Sequence, residues 1–322
     1  MTESQPYFTV SYSSLGTAET CWRKFELDKF YPRRERVFED NYAADVGSAL
    51  HAGFQDYLIH GDKDEAIWQL MRAFPFEAEY NQDNDYRSFE ATLSTLECMF
   101  EEVKLNEYEL AKIRRPNTPA ELAAGLSGGV VVPAIEVPFE LRFKGLNLPD
   151  GRGIAFTGFI DAVMRHYTTG RFRTLDIKTT RFHMSDATAK YKFNGQQVPY
   201  GIVVEHIAEA AVDSFEVLYL DSYIDLVEPD VKLYPFTKTQ DDIREWVLNK
   251  VLQFQQMIRF SEMEFFPRTD GGCTFFNKPC RHLEPCMSRD KAAITEWFLL
   301  GEEPARQREE FFPWIVADLE IA

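Results

Sequence analysis

The sequence predicts an α/β fold, a mixed sheet flanked by helices with a helical N-terminal portion. Three observations carry that prediction. Apolar residues recur at helical spacing over 40–61 and again through 62–112. Runs rich in Val, Ile, Phe and Tyr dominate 130–236. A long amphipathic pattern then follows at 238–263. Helices, strands, a helix, more strands and a helix, in that order, describe one layered α/β domain.

Taken in order, residues 10–30 open with serines able to cap a helix and place Cys21 within or beside it. The next helix ends at Gly61. Within it Gly47 and His51, four apart, share a face, and the small residues between them let another backbone approach. Residues 62–112 read as mainly helical. Trp68, Leu70, Met71, Phe74, Leu93, Leu96, Met99, Phe100 and Val103 are candidates for the buried side. The Pro- and Gly-rich stretch 115–130 reads as a surface loop, and 130–143 as the first strand. Glu136 in that strand reads as an edge-strand charge, with an auxiliary active-site acid as the alternative. Residues 183–210 begin as a loop and turn helical, and two further strands cover 214–227 and 231–236. The helix at 238–263 has Trp246, Val247, Val251, Leu252 and Phe254 on its apolar side. A cysteine-bearing segment, a short helix and an acidic tail complete the chain. We expect one domain over 1–300, with 62–128 as a helical insertion able to form an arch or lid, and 301–322 as the tail.

The chemistry concentrates in 157–180, TGFIDAVMRHYTTGRFRTLDIKTT, two strands joined by a turn at Thr168, Thr169 and Gly170. The first strand carries Asp161. The second carries Asp176 and Lys178, which project to one face, while Ile177 points to the other and can enter the core. Two carboxylates and a lysine at a sheet edge suit a divalent cation and an attacking water that the lysine orients or activates. An isolated Asp-x-Lys is more often a solvent-facing ion pair of little energetic weight. Gln196 and Tyr200, four apart, are expected on one helical face, with Pro199 in the first turn or at a kink.

Composition narrows the class. A net charge of −17 argues against non-specific adhesion to nucleic acid, though not against a local basic groove. Basic residues do cluster at 32–38, at 112–116 and at Arg165, Arg171, Arg173, Lys178 and Arg181. No apolar run approaches the roughly 18–20 residues of a membrane span, and the first residues lack a secretory pattern, so no membrane association and a cytoplasmic location are expected. Five cysteines without such a signal do not read as a disulfide framework. Cys21 stands alone, Cys98 lies mid-chain as a buried helix residue, and Cys273, Cys280 and Cys286 crowd together.

A helical GxxxH (Gly47 to His51), a strand GxxD (Gly158 to Asp161), a strand DxK (Asp176, Lys178) and QxxxY (Gln196, Tyr200) in this order resemble the RecB-like branch of the PD-(D/E)XK nucleases. The cysteines, with FFPRTDGGC and KPCRHLEPC around them, resemble the iron–sulfur members: AddB-type, CRISPR-adaptation and exonuclease V-type nucleases. The resemblance covers residues 10–290. It implies that His51, Asp161, Asp176 and the carbonyl of Ile177 hold Mg²⁺ or Mn²⁺, and that Lys178 positions the water. Gln196 and Tyr200 would contact the DNA backbone or order the site. Cys21, Cys273, Cys280 and Cys286 would bind a structural 4Fe–4S cluster, with structural Zn²⁺ on the same thiolates as the alternative. The middle acid is Asp176 rather than Glu, and the cysteine spacing is looser than the tightest pattern of these nucleases. The implied function is a metal-dependent DNA exonuclease acting on single strands or DNA ends in recombination, repair or phage DNA metabolism. The rival is a non-catalytic DNA-binding or assembly subunit of a helicase–nuclease complex, and a third reading is an endonuclease or flap nuclease with the same site. The chain has no GxxxxGK[ST] segment, so a helicase or recombination partner would be a separate protein. Oligomeric state is not legible in the residues.

Overall fold

A computed structural model describes residues 7–31, 34–35, 42–76, 87–103, 107–180, 188–209, 212–275, 278–280, 282–288, 290–299, 303–304 and 311–320. Arg181, most of the basic run at 32–38, the helical reading of 77–86 and the loop at 183–187 lie outside these residues. The strands used below are β1 (Phe8–Val10), β2 (Tyr108–Leu110), β3 (Ile135–Asn147), β4 (Gly153–His166), β5 (Phe172–Thr180), β6 (Ser214–Tyr223), β7 (Asp230–Thr239) and β8 (Ile315–Leu319). The helices are α1 (Tyr12–Thr20), α2 (Trp22–Lys29), α3 (Tyr42–His60), α4 (Lys63–Ala73), α5 (Phe89–Glu102), α6 (Tyr200–Ala208), α7 (Gln240–Glu262), α8 (Leu283–Met287) and α9 (Lys291–Leu299). The chain divides into two compact units, one of 1–39, 139–158 and 247–322, the other of 40–138 and 159–246. Among the described residues no helix is long and apolar enough to cross a membrane.

In the first unit, Ser11 caps α1 through a reciprocal capping box with Ser14, and Cys21 is the single extended residue between α1 and α2. β1 pairs parallel with β4, Phe8 opposite Ile154, and β8 pairs parallel with β3, Ile315 opposite Phe139. The acidic tail therefore contains a sheet strand, an outcome the sequence reading did not anticipate. Ile315 and Ala317 alternate inward in IVADL, but five residues of period-two pattern are too few to distinguish a strand from a tail without its partner. The Phe143 ring of β3 meets Phe254 of α7 edge-on at 4.8 Å. Leu252 on the same helix is 63% exposed, so it is not on the buried side.

In the second unit the strand order is β7-β6-β5-β4, with β2 also on β4. β7–β6, β5–β4 and β2–β4 are antiparallel and β6–β5 is parallel, which makes the sheet mixed. The parallel step needs a crossover, and α6 lies within it. Leu175, Ile177, Ala162 and Leu220 on one sheet face join Leu50, Phe54, Leu70, Leu96 and Met99 of α3 to α5 in one core. Alternation then sends Asp161, Asp176 and Lys178 to the opposite face. Three expected features differ. Residues 108–110 and 112–115 are strands, where the helical reading ran to 112; they are drawn into pairing with β4 and with 130–133 respectively. The expected loop at 115–130 contains a five-residue helix, Pro119–Ala123, capped by Thr118 and Glu121. Trp68 faces solvent at 56% exposure, because α4 buries Ala66 and Leu70 instead.

Gly53 marks where α3, α4 and α5 meet. A Cβ there would stand 2.9 Å from the Ala66 carbonyl oxygen and 3.0 Å from Leu96. Backbone cannot yield cheaply, so Gly53→Ala is expected to destabilise the protein by ~1–3 kcal/mol in urea unfolding. Gly16, inside α1 with open space around it, provides the contrast: Gly16→Ala is expected to stabilise by ~0.5–1 kcal/mol.

Candidate active site

The second unit gathers α3, the start of β3, the ends of β4 and β5, and the turn before α6 around one point. The antiparallel ladder of β4 and β5 runs from Arg165–Phe172 to Ala162–Leu175. One residue further on stand Asp161 and Asp176. There the Ile177 N–H donates to Asp161 Oδ2 at 2.7 Å, so a side-chain carboxylate takes the place of a strand partner. The two strands part at this position, and their acidic side chains face the opening.

α3 closes on the same point with Gly47 against β5: a Cβ there would sit 3.1 Å from Thr179 Oγ1. One turn later His51 places its Nδ1 4.0 Å from Asp161 Oδ2. Another turn on, Gln55 donates to Glu136. Gly47, His51 and Gln55 thus form one stripe at four-residue intervals, as the spacing of the first two predicted. Glu136 holds a left-handed backbone, φ 46°, a conformation costing on the order of 1–2 kcal/mol for a residue with a Cβ. Its residue surface is exposed, yet its carboxylate faces inward: His51, Glu136 and Asp161 each place a donor atom within 4.8 Å of the others. Glu136 is therefore part of the cluster and not a simple edge-strand charge. Only the local backbone geometry reveals this, since Ile135-Glu136-Val137 reads as ordinary alternation.

Asp176 is 1% exposed. Its Oδ1 accepts from Gln196 Nε2 at 3.0 Å, and its Oδ2 faces Lys178 Nζ at 2.7 Å at angles unsuited to a hydrogen bond. Gln196 is not helical as expected. It sits in the bend before α6, with Pro199 as the N-cap and Tyr200 the first helical residue, because proline ends the upstream reach of the helix. Tyr200 is buried, and its hydroxyl donates to the Phe159 carbonyl at 3.1 Å. It holds β4 two residues before Asp161 and has no surface for DNA.

The electrostatics follow from burial. Desolvation pushes the Asp161 carboxyl well above the ordinary range; the Ile177 amide opposes this, and Glu136 adds to it. Asp176 is raised for the same first reason and by Asp161, against the pull of Lys178. Burial, reinforced by Lys178, lowers His51 to about 4, so its imidazole is neutral at physiological pH and has a free lone pair. The crowded carboxylates and the neutral imidazole make a donor set that fits a hard divalent cation, with His51, Glu136 and Asp161 closest together and Asp176 beside them paired to Lys178. Of the basic residues on the hairpin, Arg173 is committed to Glu216 at 2.8 Å and to the Tyr108 ring, which removes it from any free basic seam.

The first unit holds the cysteines. Cys21, Cys273, Cys280 and Cys286 line one cavity with Lys24 and Arg268. The Cys280 N–H donates to the Cys273 carbonyl at 2.8 Å, and His282 anchors the segment to Asp28 of α2 at 2.7 Å. Burial pushes the Cys286 thiol up. Cys98 lies apart on α5, half-buried against the core.

A raised carboxyl pKa means that folding favours the protonated form. That stabilisation is present below the unfolded carboxylate value and is lost as pH rises through the folded one. Metal-free wild type is thus burdened near pH 8. Asp161→Asn keeps an acceptor for the Ile177 amide and is expected to be more stable by on the order of 1 kcal/mol in EDTA at pH 8. Urea unfolding at a series of pH values should show that gap closing as the pH falls.

The protein-family comparison matches residues 9–286 to the PD-(D/E)XK nuclease superfamily. Among solved structures, a candidate exonuclease from Eubacterium rectale is similar over 85% of this chain and 90% of its own, at 14% identity and a TM-score of 0.43. The structure of a protein designated SSO0001 is similar over 79% and 88%, at 11% identity and a TM-score of 0.25. No functionally curated protein matches the sequence. With the family match extending over most of its length, the chain belongs to the PD-(D/E)XK nuclease superfamily.

Proposed function

We propose that this nuclease-superfamily protein is a metal-dependent DNA exonuclease of the RecB-like branch, hydrolysing phosphodiester bonds of single strands or DNA ends. The observation that supports it most is the convergence of His51, Glu136, Asp161, Asp176 and Lys178 at the parting of β4 and β5. His51, Asp161 and Asp176, with Glu136 and the Ile177 carbonyl beside them, would hold Mg²⁺ or Mn²⁺; a bound cation supplies Lewis acidity at the scissile phosphate and makes a water more acidic. Lys178, 32% exposed beside Asp176, presents its ammonium to the water and to charge developing on the phosphate. Gln196 fixes the Asp176 carboxylate, and Tyr200 fixes the backbone that delivers Asp161.

The cysteine cavity supports membership of the iron–sulfur subtype. The four thiols line one cavity, and with the resemblance of their segment to the iron–sulfur nucleases this favours a 4Fe–4S cluster over zinc. Its role would be structural, joining α2 to the segment at 273–286. Recombination, repair or phage DNA metabolism is the setting that such an activity would serve.

Digestion of end-labelled linear and closed circular single-stranded DNA with Mg²⁺ or Mn²⁺ tests the reading. Cleavage of the linear form alone, reduced at least ~10³-fold in Lys178→Ala with binding retained, is the expected result. Cutting of the circle would make the protein an endonuclease, and no cleavage with either ion would favour an assembly subunit. Anaerobically purified protein is expected to be brown and to contain iron, with the colour lost in Cys280→Ser. Stoichiometric zinc without iron would overturn the cluster.

A further inference from the structure

The turn that delivers Gln196 also carries an exposed aromatic ring. Phe193 is 81% exposed, although the residues around it are firmly placed. Tyr191 is buried and stacks on Tyr219 of β6 at 4.4 Å. The Lys192 carbonyl accepts from Lys238 at 2.9 Å, and Asn194 Oδ1 accepts the Gln196 N–H at 2.8 Å. A phenylalanine left outside forgoes ~1.5–3 kcal/mol of burial. Here it stands on a fixed turn, three residues from the side chain that holds Asp176. Cations border it: Lys192 Nζ lies 5.9 Å from its ring centre, and Lys190 is exposed on the short helix Thr188–Lys192 just before it. Across the site, Phe159 is 50% exposed and two residues before Asp161, hence on the same strand face as that carboxylate.

We propose that Phe193, with Phe159, forms stacking platforms for unpaired bases flanking the scissile phosphate, so that the enzyme selects single-stranded over paired DNA. The proposal rests on the nuclease reading above and adds the residues that choose the substrate. Every base has a π-face, so such platforms hold a strand without reading its sequence, and neighbouring lysines take its phosphates. A duplex keeps its bases stacked on each other and offers these rings nothing. A single exposed ring among lysines is too small an apolar surface for a stable protein partner, which ordinarily needs roughly 1,000 Å² or more. Unpaired nucleic acid is the occupant that its position beside the carboxylates favours.

The test uses the full-length protein in EDTA, where cleavage is suppressed. Anisotropy of a labelled oligothymidine and of a labelled blunt duplex is measured for the wild type, Phe193→Ala, Phe193→Leu, Phe193→Trp and Phe159→Ala. A 2-aminopurine-containing strand reports stacking directly by quenching. Phe193→Ala is expected to weaken single-strand binding roughly 5- to 100-fold and to reduce the quenching, with duplex binding unchanged. Trp should restore both and Leu should restore neither, because stacking needs a π-face and not only apolar bulk. Undiminished single-strand binding in Phe193→Ala, or full rescue by Leu, would overturn the proposal while leaving the nuclease reading intact. A wild type that neither binds nor cuts DNA would overturn both.

Discussion

The bond from the Ile177 amide to the Asp161 carboxylate sits where two antiparallel strands stop pairing, and the site depends on it. A strand N–H that loses its ladder partner needs another acceptor, since leaving it buried and unpaired costs ~1–3 kcal/mol. Asp161 supplies that acceptor from the neighbouring strand. The same carboxylate is thereby fixed one residue past the last ladder pair, facing Asp176 across the opening. Structural repair and chemical positioning are one interaction here. His51 approaches from α3, its Nδ1 4.0 Å from that same carboxylate oxygen.

That arrangement concentrates negative charge where water is scarce. Asp161 and Asp176 are both raised by burial, Glu136 adds a third carboxylate in a left-handed backbone, and Lys178 offsets only part of the repulsion. Folding alone gains nothing from such a cluster, and a hydrophobic or amide substitution would relieve it. Sites that hold cations commonly show this exchange of stability for function. Gly47 eases the approach on the other side, since a Cβ there would stand 3.1 Å from Thr179 Oγ1 of β5, closer than ordinary van der Waals contact.

Much of this was legible in the residues. Asp-x-Lys with Ile177 between gave the strand, its two faces and the buried side correctly, because a period of two leaves no freedom once one face enters a core. Gly47 and His51 share a helix face for the equally rigid reason of helical spacing. Other features were not legible. Gln196 bonds Asp176 from a bend rather than from a helix, since Pro199 caps the helix instead of lying within it. Glu136 joins the cluster through a positive φ that no sequence pattern announces. The strands at 108–110 and 315–319 exist through partners distant in sequence, and short segments of that kind have too little pattern of their own. The four cysteines were grouped by the resemblance of their segment to the iron–sulfur nucleases, and they line one cavity.

Above all, the crowded carboxylates are expected to hold a divalent cation. Calorimetric titration of Mn²⁺ into metal-free wild type and Asp161→Asn, in buffers of different ionisation enthalpy, tests it most directly. The account predicts binding to the wild type with protons released below neutrality, as the raised carboxyls give up their protons to the metal, and little or no binding to the variant. Absence of binding to the wild type, or equal binding to both, would contradict it.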